Sequence, residues 1–343
     1  MTTIEMTPLL QLNLFLHMTL DYTHKSNFNP YFKKQGYVLK SIEESIPLNP
    51  EVYQKISAVT KISKQVTPEM ILRHQETGNL LLLECKVKSF DSNTEDRACR
   101  QALGYLSLTP EYLSEFLGGT EDEKNTASLL YATDNNHTEK LNSTLNKLKS
   151  TVLKTVGRSL NPEILGIEIN KSGCFIQKKA PELEDPVKIV DLSTLQEKAI
   201  LYLIPFEPNS SIDEYGKLVL EKQVRNTIRA ILGRNLGNTE FTFTSTDICK
   251  AINPLWDKLP SKLKKKIKRI VHTYVLDVIR VLKTKNVQGT HEEQIYKFPP
   301  IDQNTLEKVR RFLITNKFIE VGKDSFDEID QLTIEEFLES ELN

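Results

Sequence analysis

No stretch of this 343-residue chain approaches the roughly eighteen consecutive apolar residues of a membrane span, so the sequence offers no transmembrane helix. Cysteine is scarce. Cys85, Cys99, Cys174 and Cys249 are scattered and form no CxxC pair, which argues against a disulfide framework and a zinc ribbon and for a reducing compartment. The six histidines, His17, His24, His74, His137, His272 and His291, show no metal-ligand spacing. An excess of charge of either sign is also missing: the formal net charge is −1, which speaks against indiscriminate coating of nucleic acid, although the balance averages over blocks of opposite sign. The apolar patch at residues 9–16 is broken by Gln11 and Asn13 and has neither a basic leading region nor a small-residue cleavage site, so no secretory signal is expected. These absences leave a soluble cytoplasmic protein, long enough for two domains.

What is present is organised around Leu80-Leu81-Leu82-Leu83-Glu84-Cys85-Lys86-Val87-Lys88, which opens after the turn signal Thr77-Gly78-Asn79. A short apolar run of this kind predicts a strand buried on both faces. Side chains two apart on a strand share a face, so Glu84 and Lys86 lie side by side while Cys85 turns into packing. A carboxylate and an ammonium at the end of an oily strand are costly unless they are paired, bind a metal or border a cleft. Upstream, Thr67-Pro68-Glu69-Met70-Ile71-Leu72 places another carboxylate at the mouth of a second apolar run. If the two runs are arms of one hairpin, Glu69 and Glu84 approach each other. Two carboxylates beside a lysine suit a magnesium ion that keeps several waters.

Pro68-Glu69 and Glu84-Cys85-Lys86 together resemble the signature of the PD-(D/E)XK nuclease superfamily, with Glu69 standing where the family most often has Asp. The carboxylate-x-Lys pattern alone carries little weight, since Asp122-Glu123-Lys124 has the same form within a polar stretch. The added weight comes from the buried strand, the Pro-Glu arm and a following helix at residues 95–105. There Ala98, Ala102 and Tyr105 fit one face, and Arg97, Arg100 and Gln101 another. Many family members are similar in carrying a Gln and often a Tyr on this helix, bordering the metal site. The resemblance implies that Glu69 and Glu84 bind Mg2+, or Mn2+ in its place, with the Cys85 carbonyl as a further ligand. It implies that Lys86 orients the attacking water or stabilises charge on the phosphate, and that Gln101 positions the lysine or the scissile strand. Lys88, Arg97 and Arg100 are then phosphate contacts.

Along the rest of the chain, Thr7-Pro8 predicts a helix to about residue 22 that covers one face of the sheet, with Leu9, Leu12, Leu16 and Leu20 buried. Residues 37–42 and 128–133 predict strands. Glu43 and Glu44, after the first of these, are left without a role. Residues 108–126, with Gly118-Gly119 and a charged run, predict a surface connection. Residues 141–156 carry helical spacing at Leu141, Leu145, Leu148 and Val152. Residues 164–169 and 174–176 flank Asn170-Lys171-Ser172-Gly173 as a hairpin. The expectation is an α/β fold, a restriction-endonuclease-like mixed sheet flanked by helices, over residues 1–208.

Residues 209–318 resemble, less closely, a mainly helical winged-helix module. A first helix over residues 213–232 has Leu220, Val224, Ile228, Ile231 and Leu232 inward and Lys217, Lys222, Arg225 and Arg229 outward. Thr244-Ser245-Thr246-Asp247 caps a short helix that Pro254 ends. A long helix over residues 260–283 buries Leu263, Ile267, Ile270, Tyr274, Val278 and Val281. Residues 287–298 are the candidate wing. Lys262, Lys264, Lys265, Lys266, Lys268 and Arg269 crowd the start of the long helix, which makes a polyanion a fitting partner. Residues 319–343 form an acidic amphipathic tail.

The combined expectation is a magnesium-dependent DNA endonuclease of restriction or phage-defence type. It acts on double-stranded DNA, with a second copy or a partner subunit of a defence complex completing the assembly and no membrane involved. Its rivals are a non-cleaving DNA-binding scaffold that keeps the nuclease fold, and a winged-helix regulator whose first domain senses a ligand.

Overall fold

In the computed structural model, residues 6–21, 27–118, 126–193, 202–204, 214–237, 240–282, 287–289, 294–298, 300 and 302–315 are described. The chain divides into two compact units, Met1–Ile204 and Pro205–Asn343. The acidic tail expected at residues 319–343 and the loop with Asp122-Glu123-Lys124 lie outside the described residues.

The first unit opens with helix α1, Pro8–His17, started by Pro8 and by the Thr7 hydroxyl accepting from the Leu10 amide. It stops a turn earlier than its apolar spacing predicts, with Met18 as its C-cap. Every residue from Leu10 to His17 is buried, polar ones included, so α1, which packs on the strand Leu80–Lys86 of the sheet, is itself covered on its other side. Its two internal amides are served by tertiary partners. Asn13 bonds both the carbonyl and the amide of Ile204, and Gln11 donates to the Lys86 carbonyl at 3.2 Å. His17 stacks on Phe28 at 3.8 Å between ring centres, a packing role.

A one-turn helix α2, Tyr31–Lys34, leads into β1, Tyr37–Ile42. A small hairpin of β2, Ile46–Pro47, and β3, Gln65–Val66, brackets helix α3, Pro50–Ser57. None of α2, β2, β3 and α3 is predicted from the sequence. The hairpin β4, Met70–His74, and β5, Leu80–Lys86, forms as expected through residues 75–79. Helix α4, Arg97–Ser107, follows, capped by Asp96.

The predicted surface connection instead contains helix α5, Pro110–Leu117. Thr109 caps it, Pro110 starts it, Leu113 and Leu117 bury its inner face, and Gly118 ends it at φ 73°. Then come β6, Ala127–Asp134, α6, Thr138–Val156, β7, Pro162–Asn170, β8, Gly173–Ala180, and β9, Val187–Val190, a strand missed just beyond a charged, proline-bearing stretch.

Seven strands make one curled mixed sheet in the order β1-β4-β5-β6-β7-β8-β9. β5, β6 and β7 run parallel, and the outer pairs are antiparallel. Parallel neighbours need crossovers, which α4 with α5 and then α6 supply. Leu80, Leu82, Leu129, Tyr131 and Ile164 on one face pack with Leu103, Leu106, Leu113, Leu141, Leu145 and Leu148 from these helices. Gly104 lets α4 lie close to β3, since a Cβ there would fall 2.5 Å from Val66 Cγ1.

The second unit comprises α7, Glu214–Arg234, β10, Phe241–Thr244, α8, Ser245–Ile252, α9, Ser261–Leu282, β11, Val287–Gly289, β12, Gln294–Phe298, and α10, Gln303–Thr315. The three strands pair in the order β10-β12-β11, all antiparallel. Thr244 and Asp247 form a reciprocal capping box at the start of α8. Leu220, Val224, Ile228 and Leu232 of α7 and Leu263, Ile267, Ile270, Tyr274 and Val278 of α9 are buried, as their spacing predicts. Ile231 is only half-buried, and the Val281 side chain lies outside the described residues. Arg225 departs from its expected exposed role, being paired with Glu221 and largely buried.

Candidate active site at the end of strand β5

Met70 pairs with Leu83, and continuing that antiparallel register by one residue sets Glu69 opposite Glu84. The Glu69 backbone is fixed from its other side. Glu43, in the left-handed region at φ 49°, donates its amide to the Glu69 carbonyl at 3.1 Å. A non-glycine residue held there stores strain of roughly 1–3 kcal/mol, a feature that clusters at functional sites. Glu43 therefore contributes through its backbone, a contribution that residue type alone does not reveal.

Glu84 and Lys86 share one face of β5, as the strand period predicts. Lys86 Nζ lies 2.5 Å from Glu84 Oε1, with the Lys86 side chain 21% exposed and the Glu84 side chain 2%. The other carboxylate oxygen accepts from the Tyr105 hydroxyl at 2.8 Å, and Gln101 Nε2 donates to that same hydroxyl oxygen at 2.9 Å and to the Thr67 carbonyl at 3.4 Å. Gln101 thus sides with Tyr105, one helical turn on, rather than with Arg97 and Arg100. The chain Lys86–Glu84–Tyr105–Gln101 ties the central strand to the crossover helix.

The electrostatics follow from this crowding. Burial acts to lower the Lys86 pKa, but attraction and a hydrogen bond from Glu84, with a further contribution from Glu69, hold the ammonium above its ordinary value. Burial followed by the Glu84 charge pushes the Tyr105 hydroxyl well up, and Tyr131 is raised in the same way. Cys85, buried on the opposite face, is pushed well up by burial, then by Glu69 and Glu84. A thiol so raised is a packing group, and only its backbone carbonyl is a candidate ligand.

Glu69, Glu84, Cys85, Lys86 and Gln101 are therefore brought together. Lys88 is exposed beyond the end of β5, and Arg97 is exposed in the first turn of α4. Arg100 is partly used in holding the loop before α4, donating to the carbonyls of Thr94 and Glu95. In the other unit, Lys262, Lys265 and Arg269 are exposed at the start of α9, while Lys264, Lys266 and Lys268 are half-buried. Lys264 donates to the Asp257 carbonyl at 3.0 Å. Desolvation pushes the Lys266 pKa down, with a smaller contribution from the like charge of the neighbouring Lys262. Gln11 is a missed site residue. Its signal was a polar side chain inside an apolar helical run, but its partner, the Lys86 carbonyl, is 75 residues away.

Among the described residues, no three His, Cys, Asp or Glu side chains cluster closely enough to cage a metal. The donors at this site, two carboxylates and a backbone carbonyl, fit a hard cation that retains water, and do not fit zinc in a closed tetrahedral cage. Two clefts flank α3, one lined by Ser107, Tyr112 and Arg158 and the other by Tyr53, Lys61 and Arg100; neither includes Glu84 or Lys86. Comparison of the chain with protein-family models, with curated proteins and with solved structures finds no match to any of them, so the chemistry assigned to this site rests on its own geometry.

Proposed function

We propose that the chain is a metal-dependent DNA endonuclease of the PD-(D/E)XK kind, with a restriction-endonuclease-like first unit and a winged-helix-like second unit. The observation that carries this reading is the joined pair Glu84–Lys86 at the end of a central strand, with Glu69 on the adjoining arm and Gln101 and Tyr105 on the next helix. Glu69 and Glu84 would hold Mg2+ or Mn2+, with the Cys85 carbonyl as a third donor, and the bound ion would supply Lewis acidity and an activated water. Lys86, a cation in this setting, stabilises negative charge developing on the phosphate. Tyr105 and Gln101 fix the Glu84 carboxylate, and Gln11 fixes the strand end through the Lys86 carbonyl.

The second unit supports a nucleic-acid partner. Its element order, helix, strand, two helices, two strands and a helix, with the sheet order β10-β12-β11, suits a winged-helix arrangement, and the basic start of α9 supplies phosphate contacts.

One observation favours a second reading. Both oxygens of Glu84 are already engaged, by Lys86 and Tyr105, and the side chain is 2% exposed, as in a structural ion pair of a non-cleaving DNA-binding protein. Plasmid nicking with Mg2+ or Mn2+ separates the two. The nuclease reading expects nicking by the wild type that needs the ion and disappears in Lys86→Ala. A wild type that binds DNA yet never nicks it, with either ion, leaves the binder.

A further inference from the structure

The face of the sheet that carries Glu84 and Lys86 continues onto β6 with polar groups that the catalytic reading does not use. Tyr131 is in register with Glu84 and Thr133 with Lys86, and both are fully buried. Among the described residues, the Tyr131 hydroxyl, Thr133 Oγ1 and Asn135 Oδ1 have no hydrogen-bond partner. Residues two apart on a strand face the same way, and Asn135 follows Tyr131 and Thr133 at that spacing, just beyond the strand. Its placement over the sheet is fixed by Gly166, the residue of β7 in register with Thr133. A Cβ at Gly166 would lie 2.5 Å from Asn135 Oδ1 and 3.2 Å from Lys179 Cε. Lys86, Thr133 and the bare backbone of Gly166 therefore form one line across three parallel strands.

Lys179 reaches this line because of a bulge. Ile164 pairs with Ala180 and Leu165 with Lys178, leaving Lys179 as the extra residue of β8. Bulges of this kind re-aim side chains, often beside active sites. Lys178 is neutralised by Glu163 at 2.9 Å and Glu184 at 3.6 Å, whereas no carboxylate among the described residues pairs with Lys179. Lys179 Cε, Asn135 Oδ1 and Thr138 Cγ2 fill the space over Gly166, next to the strand position of the buried Thr133, and of these side chains the half-buried Lys179 is the one that carries charge. Lysine is a side chain that positions nucleic-acid phosphates without reading sequence. With strands about 4.8 Å apart, Gly166 is roughly 10 Å from Lys86, some two to three nucleotide rises of about 3.4 Å each.

We propose that Lys179, held over Gly166 beside Asn135 and the buried Thr133, forms a subsite for a second phosphodiester of the strand whose scissile phosphate sits at Lys86. The proposal rests on the nuclease reading, and its test is a binding measurement that needs no cleavage. Fluorescence anisotropy of a labelled DNA duplex with the full-length chain in EDTA, over a range of salt, compares wild type with Lys179→Gln, Lys179→Arg and Asn135→Ala. Lys179→Gln is expected to weaken binding roughly three- to tenfold and to shrink the slope of log K against log salt by about 0.9. Lys179→Arg should restore both, and Asn135→Ala should weaken binding while leaving the slope alone. Unchanged affinity and slope in Lys179→Gln overturns the subsite even if the wild type nicks DNA. A loss in Lys179→Gln with a wild type that never nicks keeps the subsite and removes only the cleavage reading.

Discussion

The Tyr105 hydroxyl donates a 2.8 Å hydrogen bond to one oxygen of Glu84 while the opposite oxygen accepts from the Lys86 ammonium. Neither bond is made with water, because Glu84 is enclosed by the sheet and α4. Tyr105→Phe removes one donor without changing shape, and the stranded carboxylate oxygen should lower stability by about 1–3 kcal/mol. Urea denaturation checks this; a midpoint equal to that of the wild type contradicts the assignment. Gln101 loses its partner in the same variant, so Gln101→Ala made on top of Tyr105→Phe should cost less than Gln101→Ala alone.

The ion pair makes a sharper demand. Lys86→Met leaves a carboxylate buried without its cation and should destabilise the protein by about 3–5 kcal/mol. Adding Glu84→Gln removes the orphaned charge and should return most of that stability. Nicking, by contrast, should be absent from both variants. Thermal melts and plasmid assays on the two proteins and on the Glu84→Gln single variant check the separation. If stability and activity recover together, the pair is structural only.

Gly104 sets two effects against each other. Alanine is favoured over glycine within a helix by about 1 kcal/mol, but overpacking a filled core costs about 1–3 kcal/mol. The added methyl would sit 2.5 Å from Val66 Cγ1, and Val66 is itself buried, so the clash should win and Gly104→Ala should be less stable. Val66→Ala opens the space, and the double variant should then be more stable than the sum of the two single changes implies. Strict additivity in chemical denaturation would show that α4 and β3 shift apart freely.

The second unit carries a pH signature. Burial lowers the pKa of His272 from 6.5 to about 4, and the ring shares a 2.9 Å hydrogen bond with Tyr296. The folded state therefore resists protonation that the unfolded chain accepts. Stability is full above pH 6.5, falls as the pH drops below that value, and stops falling through this group below about 4, a total of about 3 kcal/mol. Unfolding followed at Trp256, the one tryptophan, across this range should show a shallower acid slope in His272→Gln than in the wild type. Equal slopes would place the acid sensitivity elsewhere.

How much of this was legible beforehand depends on the reach of each interaction. β5 was plain because its apolar run and the flanking turn signal are contiguous, and the nearness of Glu84 to Lys86 follows from the two-residue period of a strand. The capping box at Thr244 and Asp247 is equally local. α5 was hidden by Gly118-Gly119 and the charged run beyond, although Thr109-Pro110 was a start signal in plain view. β9 is a short edge strand whose pairing with β8 outweighs the prolines before it. Gln11, Glu43 and Lys179 were beyond reach for a common reason. Each is placed by something composition does not record: a carbonyl far along the chain, a backbone angle, and a register shift.

The enclosed N-terminal helix has a bearing on how the molecule comes into being. Residues 8–17 are synthesised before nearly everything that surrounds them, from the hairpin carrying Glu84 to Ile204. An oily segment must wait, unsheltered, for its walls. A fragment starting at residue 27 would therefore be a hollow shell rather than a trimmed unit, while the same ten residues added back as a separate peptide should complete it and bring the end of β5 to order.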